Sequence, residues 1–256
     1  MPGSQKLIPV GVSNRHFHIS QQDLEILFGK GYRLQVLRPI SQKGQFACQE
    51  TLDVVGPKGK ISRIRIVGPA RGQTQLEISR SDAYRLGIDP PVRYSGDLSG
   101  TAGVKLIGPQ GELELREGVI VPQRHIHMNP RTAREFSVQD RDRVFVAPAT
   151  NGAIDPGCEP RTTILGNVLI RVDESFVLDF HVDLDEANAA GLKTGDHVYI
   201  VGKTLDRQPV IRRSLITEND VRLAILRHRK IVVPANAKVT PAALELAKAH
   251  DVFEEI

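Results

Sequence analysis

Two histidines one residue apart behind an arginine, Arg15-His16-Phe17-His18 in "SNRHFHIS", form a pattern that can hold a metal. Side chains on a strand alternate between faces, so His16 and His18 point the same way and can grip one object together. Neutral imidazole is a preferred ligand for zinc. The same residues at a polar helix entry, with Ser13 or Asn14 as a cap, would carry no chemistry, and one copy does not separate these readings. A second copy does: "PQRHIHMN" at residues 122–129 repeats the pattern as Arg124, His125 and His127. With eight histidines in 256 residues, about a quarter of one such pair is expected by chance. Polar, helix-like segments follow both copies, "SQQDLEILFGKG" and "NPRTAREFSVQD". The chain therefore reads as internally duplicated.

The duplication supplies third ligands. "LEISRSDAYRLGI" at residues 76–88 aligns with "FHVDLDEANAAGL" at residues 180–192, matching Ala83 with Ala187 and Gly87 with Gly191. Glu77 then falls opposite His181. The candidate triplets are His16, His18 and Glu77 in one half, and His125, His127 and His181 in the other. Catalytic zinc commonly takes three protein ligands of either composition and keeps a position open. Against this stands the reading of Glu77 as a solvated strand residue and His181 as a satisfied buried histidine.

The elements that must position these residues are mostly short and β-rich, among them "LIPVGVS", "ISRIRIVGP", "VKLIGP", "LELREGVIVP", "RVFVAP", "NVLIRV", "FVLDFHV" and "HVYIVG". Their spacing and Gly/Pro boundaries predict barrels or sandwiches with short helices between strands. "GPKGK" and "GPQGE" predict hairpin turns, and "ATNGAIDPGCEPRT" a loop. The last segment differs. "ITENDVRLAILRHRK" predicts a helix opened by Thr217 and Asp220, with an apolar stripe through Val221, Ile225 and Leu226. "IVVP" predicts a short strand, and "VTPAALELAKAHD" a helix capped by Thr240 with Pro241 in its first turn. This pair could dock a partner or pack on its own domain.

Composition excludes several classes. Hydrophobic content of 40% with 25% charged residues is that of a globular protein, and no apolar run is long enough to cross a bilayer. The start "MPGSQKLIPVGVSN" lacks the basic and apolar regions of a secretory signal, which predicts an intracellular protein. Cys48 and Cys158 form no CxxC pair, so they read as free thiols in a reducing compartment. The net charge of +4 and pI near 9.1 suit an anionic ligand. Without tryptophan and with 5% aromatic residues, a stacking surface for nucleic acid is not expected.

The ordered series "VGVSNRHFHIS", "QFACQETLDVVGPKGKI", "IVGPARGQTQLEISRSDAYRLGI", "PPVRYSGDLSGTAGVKLIGPQG", "GVIVPQRHIHM" and "FHVD", spanning about residues 7 to 201, resembles the PduL-type phosphotransacylases, or phosphate propanoyltransferases. The resemblance implies a mainly β fold of two small β-barrels with short capping helices, internally duplicated, to which this chain adds a C-terminal helical extension at 214–256. One barrel would comprise residues 5–14 and 123–201 with the three-histidine half-site. The other would comprise 15–122 with the His/His/Glu half-site and a lid insertion at about 29–49, placing Gly44, Gln45 and Phe46 near substrate. The six residues chosen from the repeat match the family's ligands for two zinc ions. Arg71 matches its phosphate-contacting arginine, a catalytic and substrate-binding role. Its counterpart in the second repeat is Ser175, so Arg71 breaks the internal symmetry, as a residue handling a substrate present once should.

The implied reaction converts a short-chain acyl-CoA, propanoyl or acetyl, and phosphate into acyl phosphate and CoA, by direct phosphate attack on the thioester. The His16/His18/Glu77 half-site is expected to meet the thioester and the CoA sulfur. The three-histidine half-site, with no anionic ligand to offset its metal's charge, is expected to take phosphate with Arg71. An acyl-cysteine route through Cys48 lacks an adjacent base. The competing readings are a binuclear zinc hydrolase of thioesters or esters, and a non-catalytic metal-dependent scaffold. The resemblance further implies a homodimer, in the bacterial cytoplasm or the lumen of a bacterial microcompartment of the kind that serves propanediol degradation. Shell or lumen partners would then be reached through the C-terminal helices, since only about six residues precede the matched core where relatives often carry a targeting segment.

Overall fold

The computed structural model describes residues 6–149, 163–203, 215–226, 230–233, 237–250 and 252–254. The chain forms two compact units, Met1–Lys203 and Thr204–Ile256.

The larger unit opens with strands β1 (Ile8–Ser13) and β2 (His16–His18), helix α1 (Gln21–Phe28), β3 (Val36–Pro39), β4 (Phe46–Val55) and β5 (Lys60–Gly68). There follow β6 (Gln75–Glu77), α2 (Arg80–Leu86), β7 (Val92–Arg93), β8 (Ala102–Ile107) and β9 (Glu112–Pro122). The second copy comprises β10 (His125–Met128), α3 (Pro130–Glu135), β11 (Arg143–Pro148), β12 (Leu165–Val172), β13 (Asp179–Asp183), α4 (Leu184–Ala190) and β14 (His197–Lys203).

Two rings of six strands close. In the first, β2 lies between β5 and β6, and the ring continues through β4, β8 and β9. In the second, β10 lies between β12 and β13, and the ring continues through β11, β14 and β1. Parallel and antiparallel pairings match step for step, with β2, β4, β5, β6, β8 and β9 answering to β10, β11, β12, β13, β14 and β1. The match shows a reciprocal exchange. Each repeat begins with a strand, β1 or β9, that completes the barrel of the other repeat.

Each barrel encloses its own core, with Phe17, Leu52, Ile66 and Leu76 in the first and Ile8, Ile126, Val146 and Phe180 in the second. The alternating patterns that predict these strands bury one face of each, as a closed ring requires. The capping helices start where side-chain acceptors follow the ligand strands: Ser20, Ser79, Asn129 and Asp183 each accept a backbone N–H of the first turn. Ser13 and Asn14 are not the caps. The two predicted hairpins close as expected and also finish helices, since the Lys58 N–H donates to Leu86 O and the Gln110 N–H to Leu27 O. An added Cβ at Gly56 or Gly108 would fall 2.3 or 2.5 Å from those same two carbonyls, hence glycine at both. Most of the predicted loop "ATNGAIDPGCEPRT", with Cys158, lies outside the described residues.

The smaller unit contains β15 (Leu215–Ile216), α5 (Glu218–Leu226), β16 (Ile231–Val232), β17 (Lys238–Val239), α6 (Pro241–His250) and β18 (Phe253–Glu254). The helices carry more strand around them than the sequence predicts, because β15 pairs with β17 and β16 with β18, both in parallel. Thr217 N–H and Oγ1 donate to Asp220, and Thr240 Oγ1 accepts the Ala243 N–H, as the capping pattern predicts. The stripe is shifted. Val221 is buried and Ile225 packs beside it, but Ala224 takes the remaining core position while Leu226 is exposed.

Candidate active site

One cavity of about 980 Å³ between the barrels receives both histidine pairs. β2 and β10 run along it, so alternation points His16, His18, His125 and His127 inward while Phe17 and Ile126 fill the cores. The antiparallel neighbours bring the third residues into register, Glu77 opposite His16 and His181 opposite His125. Each triplet thus arises from the same pair of strands in the same register.

In the first triplet His16 Nε2 lies 3.3 Å from His18 Nε2 and 3.6 Å from Glu77 Oε2, and His18 Nε2 lies 3.9 Å from Glu77 Oε1. Tetrahedral ligands about 2.0–2.1 Å from zinc are separated by about 3.3 Å, so the donors fit a zinc-sized ion with small adjustments. The donor atoms of the second triplet lie within 4.8 Å of one another. Buried there without hydrogen-bond partners are His125 Nε2 and both ring nitrogens of His127. A neutral imidazole offers one lone pair, so His125 and His127 each present one acceptor nitrogen, and leaving these buried and unpaired is costly unless a cation takes them up.

The opposite ring edges are fixed. His16 Nδ1 faces Asn14 O at 2.9 Å, His125 Nδ1 faces Gln123 O at 2.7 Å, and His18 Nδ1 faces Val67 O at 3.2 Å. Each carbonyl accepts the Nδ1 proton and leaves Nε2 as a lone pair. Burial pushes the pKa of His18 and His127 down to about 2 and that of His125 to about 3, with neighbouring histidines adding to the effect. All three are neutral near pH 7, the form that ligates.

Two residues absent from the sequence expectations hold the third member of each triplet. Gln75, two before Glu77, donates to Glu77 Oε1 at 2.6 Å; Asp179, two before His181, accepts from His181 Nε2 at 2.9 Å. The third residue and its partner have changed together between repeats, an amide donor beside the carboxylate and a carboxylate beside the imidazole. The mirrored spacing was the signal available in the sequence. Behind each triplet, Arg15 pairs with Asp82 and Arg124 with Glu186, tying the ligand strands to the capping helices α2 and α4.

Arg71 lies in the loop after β5, its backbone N–H on Ile19 O. Its Nη1 donates to Ser95 Oγ at 3.2 Å and its Nη2 reaches Gln45 Oε1 at 3.5 Å. Burial, and then Arg171 across the cavity, lowers its pKa. Ser95 also accepts from Gln75, so one polar chain runs from Glu77 to the guanidinium. Ser175, the counterpart, is exposed and among the described residues bonds to Asp173. Gln45 lines the cavity. Phe46 packs against the first core and over Gly68, where an added Cβ would lie 2.5 Å from its ring. Gly44 takes φ 77° in the turn between β3 and β4. From that turn Gln42 reaches the other barrel, donating to Val177 O and accepting from Val177 N–H.

Six arginines line the cavity against three carboxylates, a balance that attracts anions. Cys48 is free and fully buried, and burial raises its thiol pKa to about 11. Among the described residues no helix is long and apolar enough to cross a membrane.

A family model described as phosphate propanoyltransferase matches residues 9–193. A phosphate propanoyltransferase of Thermotoga maritima is 55% identical over 194 residues, covering 76% of this chain and 89% of the relative. One from Rhodopseudomonas palustris is 46% identical, covering 77% and 83%, and one from Salmonella typhimurium is 48% identical, covering 73% and 85%.

Proposed function

The chain belongs to the phosphate propanoyltransferase family and is an acyltransferase that uses phosphate, and on that premise we propose that it interconverts a short-chain acyl-CoA and phosphate with acyl phosphate and CoA. The observation that carries the reading is the pair of donor triplets facing one arginine-lined cavity together with Arg71. His16, His18 and Glu77 would hold one zinc and His125, His127 and His181 the other. Zinc bound there supplies Lewis-acid polarisation of oxygen and a soft acceptor for sulfur.

The remaining work falls to the protein. Arg71 binds phosphate oxygens through its guanidinium, held in place by Ser95 and Gln45. Gln75 and Asp179 keep Glu77 and His181 oriented. The turn carrying Gln42 and Gln45 acts as the lid. A phosphate oxygen attacks the thioester carbonyl, the C–O bond forms, the C–S bond breaks and CoA leaves. The proton of hydrogen phosphate goes to the sulfur, so charge and atoms balance without a covalent enzyme intermediate. Buried Cys48, with a thiol that stays protonated near pH 7, takes no part. Propanoyl is the proposed acyl group, with acetyl the nearest competitor, since one methylene gives only about 1–3 kcal/mol of discrimination. We place the enzyme in the bacterial cytoplasm or a microcompartment lumen as a homodimer, with the unit at the C-terminus as the site of any shell contact.

The test is CoA release from propanoyl-CoA by zinc-loaded protein with and without phosphate, beside Arg71→Ala. Release that requires phosphate, yields propanoyl phosphate and collapses in the variant is expected. Equal release without phosphate would make the protein a thioester hydrolase.

A further inference from the structure

A second arginine lies beside the three-histidine triplet. Arg171 lies on β12 opposite His127 of the parallel neighbour β10. Its guanidinium carbon sits 5.5 Å from the Phe176 ring centroid, and that ring packs against the His127 imidazole with centroids 4.1 Å apart. A stack of imidazole, phenyl and guanidinium fixes the direction of the side chain. Among the described residues, no hydrogen bond or ion pair engages its N–H groups, although it lines the cavity. Free donors held rigid in a partly enclosed space are what an anion site requires before its ligand arrives.

Arg71 approaches the same space from the first barrel, and Arg171 is close enough to help hold its pKa down. Two guanidinium groups lining one cavity repel one another. The arrangement becomes favourable when an anion lies between them.

The internal repeat sharpens the point. β2 runs beside β5 with His16 at Arg65 and Phe17 at Ile66, so His18 falls at Val67, whose carbonyl its Nδ1 meets. The equivalent neighbour of His127 is Arg171. Valine in one repeat and arginine in the other is the same kind of one-sided change as Arg71 against Ser175. Arg171 lies beside the three-histidine triplet, and Arg71 reaches the shared cavity from the Glu77 side.

We propose that Arg171 is a second phosphate-holding residue, which together with Arg71 grips the phosphoryl group of inorganic phosphate, and of acyl phosphate in reverse, from the two barrels at once. The inference rests on the phosphotransacylase reading. Arg71 and Arg171 take up non-attacking oxygens, leaving one oxygen free to reach the thioester carbonyl. Phe176 then acts as a positioning residue, holding Arg171 against His127.

The experiment compares wild type, Arg171→Ala, Arg171→Lys and Arg71→Ala, all zinc-loaded, with zinc content and melting temperature measured as controls. Phosphate binding is followed by calorimetry, and KM is measured for phosphate, propanoyl phosphate and propanoyl-CoA. The Arg171→Ala change should weaken phosphate and propanoyl phosphate about 10- to 100-fold, the effect of losing charge-assisted hydrogen bonds. KM for propanoyl-CoA should stay within about twofold, and Arg171→Lys should recover part of the loss. CoA carries phosphates of its own, so the assay is repeated with propanoyl-pantetheine, which carries none. The same factor should persist. An unchanged phosphate affinity in Arg171→Ala with zinc retained would overturn the proposal, as would a factor that vanishes with the pantetheine thioester. Failure of the parent reading shows separately, as CoA release by wild type without phosphate.

Discussion

Gln75 offers the sharpest test of how the third residue of a triplet is held. Its amide is 2% exposed and fully used, donating to Glu77 Oε1 at 2.6 Å and to Ser95 Oγ at 2.9 Å while its oxygen accepts the Gly96 N–H at 2.7 Å. Gln75→Glu preserves shape and the Gly96 bond but sets a second carboxyl within hydrogen-bond distance of Glu77. Two carboxylates so close do not both ionise, so the metal-free variant holds a proton on the pair at pH 7, above the ordinary range of a carboxyl. Keeping a carboxyl of ordinary pKa about 4.3 protonated at pH 7 costs up to about 3.7 kcal/mol of folding stability. The folded pKa is raised above the unfolded one, so the cost shrinks as pH falls, by about 1.4 kcal/mol per unit from 7 towards 5, read as the difference between variant and wild type in urea titrations of metal-free protein. Taking the difference removes the protonation of the histidines, which both proteins share. A bound zinc lets both carboxylates ionise and releases that proton, so the ratio of variant to wild-type zinc affinity, from competition with a chromophoric chelator, should fall as pH falls. A stability difference that stays flat with pH would refute the role given to Gln75, as would a variant as stable as wild type at pH 7.

Asp179→Asn, which weakens the acceptor for His181, should reduce zinc affinity about 10- to 100-fold at the second half-site, measured by the same competition assay, with the melting temperature of the metal-free protein nearly unchanged. The metal-free protein should lose stability in acid. His18, His125 and His127 have folded pKa values of about 2 to 3 against 6.5, so unfolding takes up protons below pH 6.5. The slope is about 1.4 kcal/mol per pH unit for each histidine, at most about 4 for the three, and urea titrations between pH 7 and 5 would measure it. Cys48→Ala should keep kcat within about twofold; a loss above a hundredfold in folded protein would restore the acyl-cysteine route. Gly118→Ala should destabilise by about 2 kcal/mol or more, read from the urea midpoint, because φ is +128° and the new Cβ would lie 2.7 Å from Thr74 O.

The two donor triplets were legible because duplication repeats spacing. The two HxH pairs mark their own strands, and aligning the repeats finds Glu77 and His181, which β6 and β13 bring into register with the first histidines. The hairpins were legible because glycine and proline act locally. Arg171 and Asp179 were not singled out, since a charged residue on an alternating strand reads as solvent-facing until the neighbouring strand is known. Leu226 fits a helical stripe yet lies outside the core, because tertiary contacts around α5 bury Ala224 instead. Periodicity likewise carries no information about partners: β1 and β9 look like any strand before an HxH pair, and the resemblance to a family was needed to suggest that the first belongs with the second half of the chain.

The strand exchange has a consequence for synthesis. The first barrel has all its walls once residue 122 has left the ribosome, and its His16, His18 and Glu77 can assemble then. β1 emerges earlier still, but its partner Phe180 lies 170 residues beyond Val10. At about 5–20 residues per second, Ile8 and Val10 wait roughly 10 to 30 seconds for a wall to join. The nascent chain thus displays a finished barrel with an apolar strand dangling from its front, a target for chaperones or for a neighbouring nascent copy. Gene order here fixes which half of a two-part site exists first.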